Sequence, residues 1–189
     1  MIVRQGVVAR RGGQQPARIP CTVLVTLGGA DRTGLGLRLG RALAEAGLKT
    51  TVIQTDRACP KCDNPMLTVL SQCDEDAFIT HLLTTGVVVC GGGQTLVESL
   101  VLGCPVVPIE MGECHRHMIA FAVANGMMEE RIHFTMAAVI SKATAAVRGA
   151  MPEDRASKQS RGATLFVDGM GAARTADAIL RAYAEHSLK

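Results

Sequence analysis

Between residues 22 and 109 the chain alternates short apolar runs with longer segments whose apolar positions recur every three or four residues. Thr22–Leu27 (TVLVTL), Thr50–Gln54 (TTVIQ), Met66–Leu70, Val87–Cys90 and Pro105–Ile109 are the short runs. Brief, β-branched and bounded by glycine, proline or polar residues, they predict buried strands. Thr33–Ala46 carries Leu35, Leu39, Leu43 and Ala46 at helical spacing, with Gly47 where a C-terminal cap belongs. Asp74–Thr84 predicts a helix with Asp74 as its N-cap and Phe78, Ile79, Leu82 and Leu83 turned inward. Further helices are predicted over Gln94–Leu102 (closed by Gly103), His117–Asn125 (ended by Gly126), Ala137–Val147 and Thr175–Ala184.

Strands apolar on both faces, alternating with helices, imply a parallel sheet covered on both sides. Right-handed crossovers then bring every strand-to-helix loop to one sheet edge. The expected fold is therefore α/β: a doubly wound parallel sheet forming one Rossmann-like domain over residues 21–189. Residues 1–20 are rich in Gly, Gln, Arg and Pro and lack a sustained period, so they read as an arm or interdomain linker. Only Ile2, Val3, Val7 and Val8 could dock there, and its four arginines are expected in solvent. Pro152–Gly162 is charged and expected to be mobile.

Composition narrows the function classes. Hydrophobic residues are 48% and charged residues 20% of the 189, which excludes wholesale disorder. Area scaling lets a chain of this size bury roughly 70% of its unfolded surface, enough for a core without disulfide staples. A net charge of +3, one Tyr, four Phe and no Trp argue against a nucleic-acid partner. No apolar run approaches the ~18 residues of a membrane span, and the N-terminus lacks the apolar stretch of a signal peptide. Seven cysteines, an odd number scattered through apolar segments, suggest reduced thiols and a cytoplasmic location.

Two strand–glycine–helix junctions carry the candidate chemistry: Leu27-Gly28-Gly29-Ala30-Asp31 and Cys90-Gly91-Gly92-Gly93-Gln94-Thr95. Glycine removes the Cβ, so a ligand can reach the backbone, and the following helix N-terminus offers amides and partial positive charge. Phosphate oxygens suit that environment. Doubly wound folds also use glycine simply to pack helix on strand, so both explanations stand at this point. Neither junction is the dinucleotide G-x-G-x-x-G, and neither is a P-loop. Glu98 lies one turn into the helix after the triplet, on an otherwise apolar face. Its carboxylate could accept from paired ribose hydroxyls, or serve only the helix dipole.

The run Gly91-Gly92-Gly93-Gln94-Thr95-Leu96-Val97-Glu98-Ser99-Leu100, followed by Leu102-Gly103-Cys104-Pro105, resembles the signature of the C-terminal, donor-binding half of GT-B enzymes. The resemblance extends to the branch that holds the UDP-sugar hydrolase of pseudaminic acid synthesis, the spore-coat polysaccharide glycosyltransferases and the N-acetylglucosaminyltransferase that makes lipid II. Val25-Thr26-Leu27-Gly28-Gly29-Ala30-Asp31 is similar to that group's first loop, and Asp168–Arg174 to its closing segment. The resemblance implies that Glu98 binds the donor ribose and that Gly91, Gly92, Gly93, Gln94 and Thr95 line the diphosphate. It also implies that Gly28, Gly29 and Asp31 face the cleft. The family's Asn-Gln pair, whose Gln contacts the sugar, falls on Cys114-His115 here. That departure leaves His115 either the candidate sugar contact or a surface residue of the basic run His115-Arg116-His117.

GT-B enzymes have two Rossmann-like halves, and this chain contains one. The resemblance therefore implies a UDP-sugar or UDP ligand for a glycosyltransferase or nucleotide-sugar hydrolase. Its acceptor half would come from an N-terminal domain or a second subunit. No catalytic residue and no cofactor are assigned. The alternative is a non-catalytic binding or scaffold protein of the same fold. Cys59-Pro60-Lys61-Cys62 has the spacing of half a zinc site but lacks a recognised second half. Cys21, Cys90 and Cys104 flank or occupy strands and are expected to be core thiols.

Overall fold

The structure, a computed structural model, describes residues 3–11, 16–54, 62–71, 73–128, 131–135, 137–151, 168 and 170–187. Six strands within them form one sheet: β1 (Ile19–Thr26), β2 (Lys49–Ile53), β3 (Leu67–Leu70), β4 (Thr85–Gly91), β5 (Val106–Glu110) and β6 (Ile132–His133). Their order is β3-β2-β1-β4-β5-β6 and every pairing is parallel. The chain runs outward from β1 to β3, returns to β4 beside β1, and runs outward again, so β1 and β4 flank the point where the winding reverses. The helices are α1 (Gln5–Arg10), α2 (Leu35–Glu45), α3 (Glu75–Thr84), α4 (Gln94–Val101), α5 (Glu113–Ala124), α6 (Val139–Ala150) and α7 (Gly171–Ser187).

Alternation along the strands feeds two cores. On one face Leu24, Val88, Cys90 and Val106 pack with Phe78, Ile79 and Leu82 of α3, Leu96 and Leu100 of α4 and Ile119 of α5. On the other, Val23, Val25, Val87, Val89 and Val107 pack with Leu35, Leu39 and Leu43 of α2 and Val139, Ala143 and Val147 of α6. The expected doubly wound parallel α/β sheet is the one this chain forms. Asp74 caps α3 as expected, its side chain accepting from the Ala77 N–H at 2.8 Å.

Three departures have local causes. Helix α5 begins at Glu113, not His117, because Cys114, His115, Arg116 and His117 form a polar first turn that hides the apolar period. Strand β6 is two residues long, too short to show any period. The arm carries α1, whose Val7 is fully buried against the α3–α4 face. Its arginines are not left to solvent: Arg4 meets Glu98 and Arg10 meets Asp76. Arg11 donates to the Asp168 carbonyl. Arg18 donates to the carbonyls of Leu82, Thr85 and Leu102 and to Cys104 Sγ.

Cys21 is also corrected: it is exposed and sits at φ 57° where β1 bulges between Ile19 and Val23. Cys90 and Cys104 are buried, and burial pushes both thiols above their ordinary pKa. The charged stretch Pro152–Gly162 lies outside the described residues. Among the described residues, no helix is long and apolar enough to cross a membrane.

Gly40 is where α2 lies closest to the sheet, since a Cβ there would run into Val52 Cγ2. Gly40→Ala gains about 1 kcal/mol in helix propensity but forces a stiff β-branched neighbour aside, which costs about 1–3 kcal/mol. The variant is expected to unfold at lower urea, with an unchanged slope. Thiol alkylation of the native protein is expected to modify Cys21 and Cys114 quickly, and Cys90 and Cys104 only on unfolding.

Candidate functional site

The loops after β1 and β4 meet at the carboxyl edge of the sheet. Thr26 pairs with Cys90 in register, and a Cβ on Gly91 would lie 3.5 Å from the Leu27 carbonyl. Gly28 to Ala30 form one 3₁₀ turn, with Gly28 at φ +66°. Apart from their chain neighbours, no atom of the described residues lies within 4 Å of where a Cβ on Gly28 or Gly29 would be, and both glycines are exposed, so among the described residues this tip is open. Asp31 turns from the tip into α2. Its Oδ1 accepts from the Leu35 N–H and its Oδ2 from the Gly36 N–H, each at 2.8 Å. Gly34, the N-cap residue itself at φ 70°, has no side chain to offer, so the carboxylate three residues earlier caps the helix. Asp31 already has a structural occupation.

The glycine triplet is shaped by α5. A Cβ on Gly92 would meet His115 Cβ at 2.6 Å, the His115 carbonyl at 2.9 Å and Ile119 Cδ1 at 2.9 Å. A Cβ on Gly91 would meet His115 Cε1 at 3.0 Å, whereas at Gly93 the nearest atom is His115 Nε2 at 3.8 Å. Close approach of α5 therefore accounts for Gly91 and Gly92, but not for Gly93. The Met111 N–H donates to His115 Nδ1 at 3.3 Å, leaving Nε2 as the ring donor in the neutral imidazole. That donor stands over Gly93. The triplet leads into α4, which, like α5, has no side-chain cap at its N-terminus. Thr95 is half-buried in the first turn, and Gln94 reaches along the helix to donate from Nε2 to Glu98 Oε1 at 3.3 Å.

Glu98 is fully buried, and its partner is one the sequence did not point to. Arg4 grips it with both arms of the guanidinium, Nε to Oε1 at 2.6 Å and Nη2 to Oε2 at 2.5 Å. The same guanidinium lies 4.8 Å from the centre of the Phe78 ring. The bond to Glu98 raises the Arg4 pKa despite partial burial. The one available hint was Val3 and Val7, four apart on either side of Arg4. Gly6 and the shortness of the segment weaken that hint.

Glu110, at the end of β5, was also missed. Its carboxylate is buried and faces Arg116 Nε and Arg131 Nε at 3.3 Å each and His133 Nε2 at 3.8 Å. Arg116 follows His115, so this cluster steadies the turn of α5 that presents the imidazole. The closing segment is held separately. Arg174 pairs with Asp168 at 2.7 Å and holds its carboxyl well below the usual range. Cys59 lies outside the described residues, and among those described no cluster of His, Cys, Asp and Glu could hold a metal.

No protein-family model and no curated relative matches the sequence. Solved structures do match the fold. Acinetobacter baumannii MurG superposes with a TM-score of 0.63 at 17% identity, covering 88% of this chain and 51% of that one. The spinosyn rhamnosyltransferase SpnG, complexed with thymidine diphosphate, gives 0.57 at 20% identity, covering 88% and 49%. Os79 T291V from O. sativa, in complex with UDP, gives 0.59 at 17%, covering 80% and 37%. The fold is that of one half of a GT-B glycosyltransferase. This chain spans about half or less of the length of these neighbours.

Asp31→Ala tests what that carboxylate does. Loss of the α2 cap is expected to lower stability by about 0.5–2 kcal/mol, read by urea denaturation. An unchanged midpoint would deny it the capping role.

Proposed function

We propose that this domain binds a nucleoside-diphosphate sugar, in particular a UDP-sugar, as the donor half of a GT-B-type glycosyltransferase. The acceptor half would come from a preceding domain or a second subunit. The observation that carries the reading is the placement of Glu98. A fully buried carboxylate stands one turn behind a glycine loop, on a helix whose N-terminus has no side-chain cap. An acceptor-only group there matches the paired hydroxyls of a ribose whose diphosphate lies against the helix amides. Neighbours of the same fold that are complexed with thymidine diphosphate and with UDP support a pyrimidine nucleoside diphosphate as the ligand class.

In this reading Gly93, Gln94 and Thr95 present amides to the diphosphate, and His115 Nε2 donates to the ligand from above the loop. Gly28 and Gly29 form the opposite, open lip of the cleft. Amides fixed in advance would stabilise the negative charge that builds on the leaving diphosphate, with no metal required of this half. Transfer is preferred to hydrolysis because SpnG, a neighbour of the same fold, is a rhamnosyltransferase.

The other reading, a non-catalytic binding or scaffold protein of this fold, draws on His115 standing where the resembling enzymes carry a Gln. Turnover of a UDP-sugar by this chain together with an acceptor half would exclude it.

Calorimetric titration with UDP tests the leading reading. Glu98→Gln keeps the volume but loses charge-assisted hydrogen bonds to the ribose, so affinity is expected to fall by about 1–3 kcal/mol, roughly tenfold or more. Because Glu98→Gln also loosens Arg4, the comparison is repeated in an Arg4→Gln background, where equal affinity with and without Glu98→Gln would remove Glu98 from the site.

A further inference from the structure

Both oxygens of Glu98 are taken by the same guanidinium. Beneath that guanidinium the carboxylate has no exposed surface, so a ribose diol reaches it only when its cover moves aside. We propose that the Arg4–Glu98 fork is an autoinhibitory latch: the N-terminal arm holds the carboxylate the nucleotide requires, and a nucleoside diphosphate binds by displacing it. This rests on the reading of Glu98 as the ribose acceptor.

The latch is built to exchange rather than merely to open. A buried carboxylate stripped of its partner is strongly destabilising, so Arg4 leaves as the incoming hydroxyls arrive. Gln94, whose amide reaches Glu98 Oε1 from the N-terminal end of α4, marks the side from which a ligand held by the glycine loop would approach. The Arg4 side chain is 38% exposed while that of Glu98 is not exposed at all, so the guanidinium has a way out to water and the carboxylate has none.

The rest of the arm can follow. Helix α1 is six residues long, below the length at which a helix holds itself together in water. Val3, Val7 and Val8, the ring of Phe78 beneath Arg4, a solvent-facing pair between Arg10 and Asp76 and the bond from Arg11 to the Asp168 carbonyl anchor it, while Arg18 holds the chain where it enters β1. Close contact with α3 is visible at Gly6, where a Cβ would fall 2.5 Å from Glu75 Oε1. Linkage then works both ways: nucleotide loosens α1, and whatever lifts α1 tightens nucleotide by the same factor.

The full chain is titrated with UDP as wild type, Arg4→Gln and Glu98→Gln, and hydrogen exchange of residues 5–10 is followed in the wild type with and without UDP. The latch predicts that Arg4→Gln binds UDP about fivefold or more tightly than wild type, and that saturating UDP speeds exchange in α1. Unchanged or weaker binding by Arg4→Gln, with Glu98→Gln still impaired, would overturn the latch and leave the ribose assignment standing. No UDP binding by either wild type or Arg4→Gln would overturn both. Should Arg4→Gln not fold, wild-type exchange decides: α1 protection that holds or rises with UDP defeats the proposal.

Discussion

A wholly parallel sheet has to be covered on both faces, because its crossovers lay helices on each side and its strands are apolar in both directions. That requirement arranges the rest of this molecule. It divides the buried side chains of β1 and β4 between two cores. It also sends every strand-to-helix turn to the same edge, so the glycine loops after two hydrogen-bonded strands come to lie side by side. The open tip at Gly28 and Gly29, the helix start at Gln94 and the first turn of α5 are consequences of that winding. The residues proposed to hold the nucleotide all lie on elements placed by that winding, whereas Arg4, which covers Glu98, comes from the arm outside it.

Within the site, two demands compete for the same residues. Gly91 and Gly92 let α5 come close enough for His115 and Ile119 to touch the loop, a packing role that any fold of this class could require. Gly93 is not explained by packing and opens the start of α4. Three consecutive glycines each carry an ordering cost of up to about 1 kcal/mol; packing against α5 accounts for two of them, and the proposed diphosphate would account for the third. Glu98 would have the same double use. In the structure as it stands Arg4 neutralises it, and in the proposed complex a ribose does.

How much could be read from the sequence follows from how far each feature reaches along the chain. The strands and most of the helices were legible because their periods run for at least one full repeat. Asp74, a single residue, was legible as a cap because capping acts over three residues. Glycine loops flanking apolar runs located the edge of the site. Contacts between residues far apart in the chain were not legible: Arg4 reaches Glu98 across 94 positions, and nothing local to either residue announces the other. The early start of α5 was hidden by its polar first turn, and with it the fact that His115 belongs to a helix rather than a loop. Cys21 read as a core thiol because its neighbours are apolar, but a bulge turned it outward.

A crystal structure of the chain grown with UDP addresses the central claim directly. The account predicts the diphosphate against the amides that follow Gly93, the ribose hydroxyls within hydrogen-bond distance of Glu98, and Arg4 displaced from that carboxylate. UDP bound elsewhere, or bound at the loop with the arginine still forked on Glu98, would contradict it.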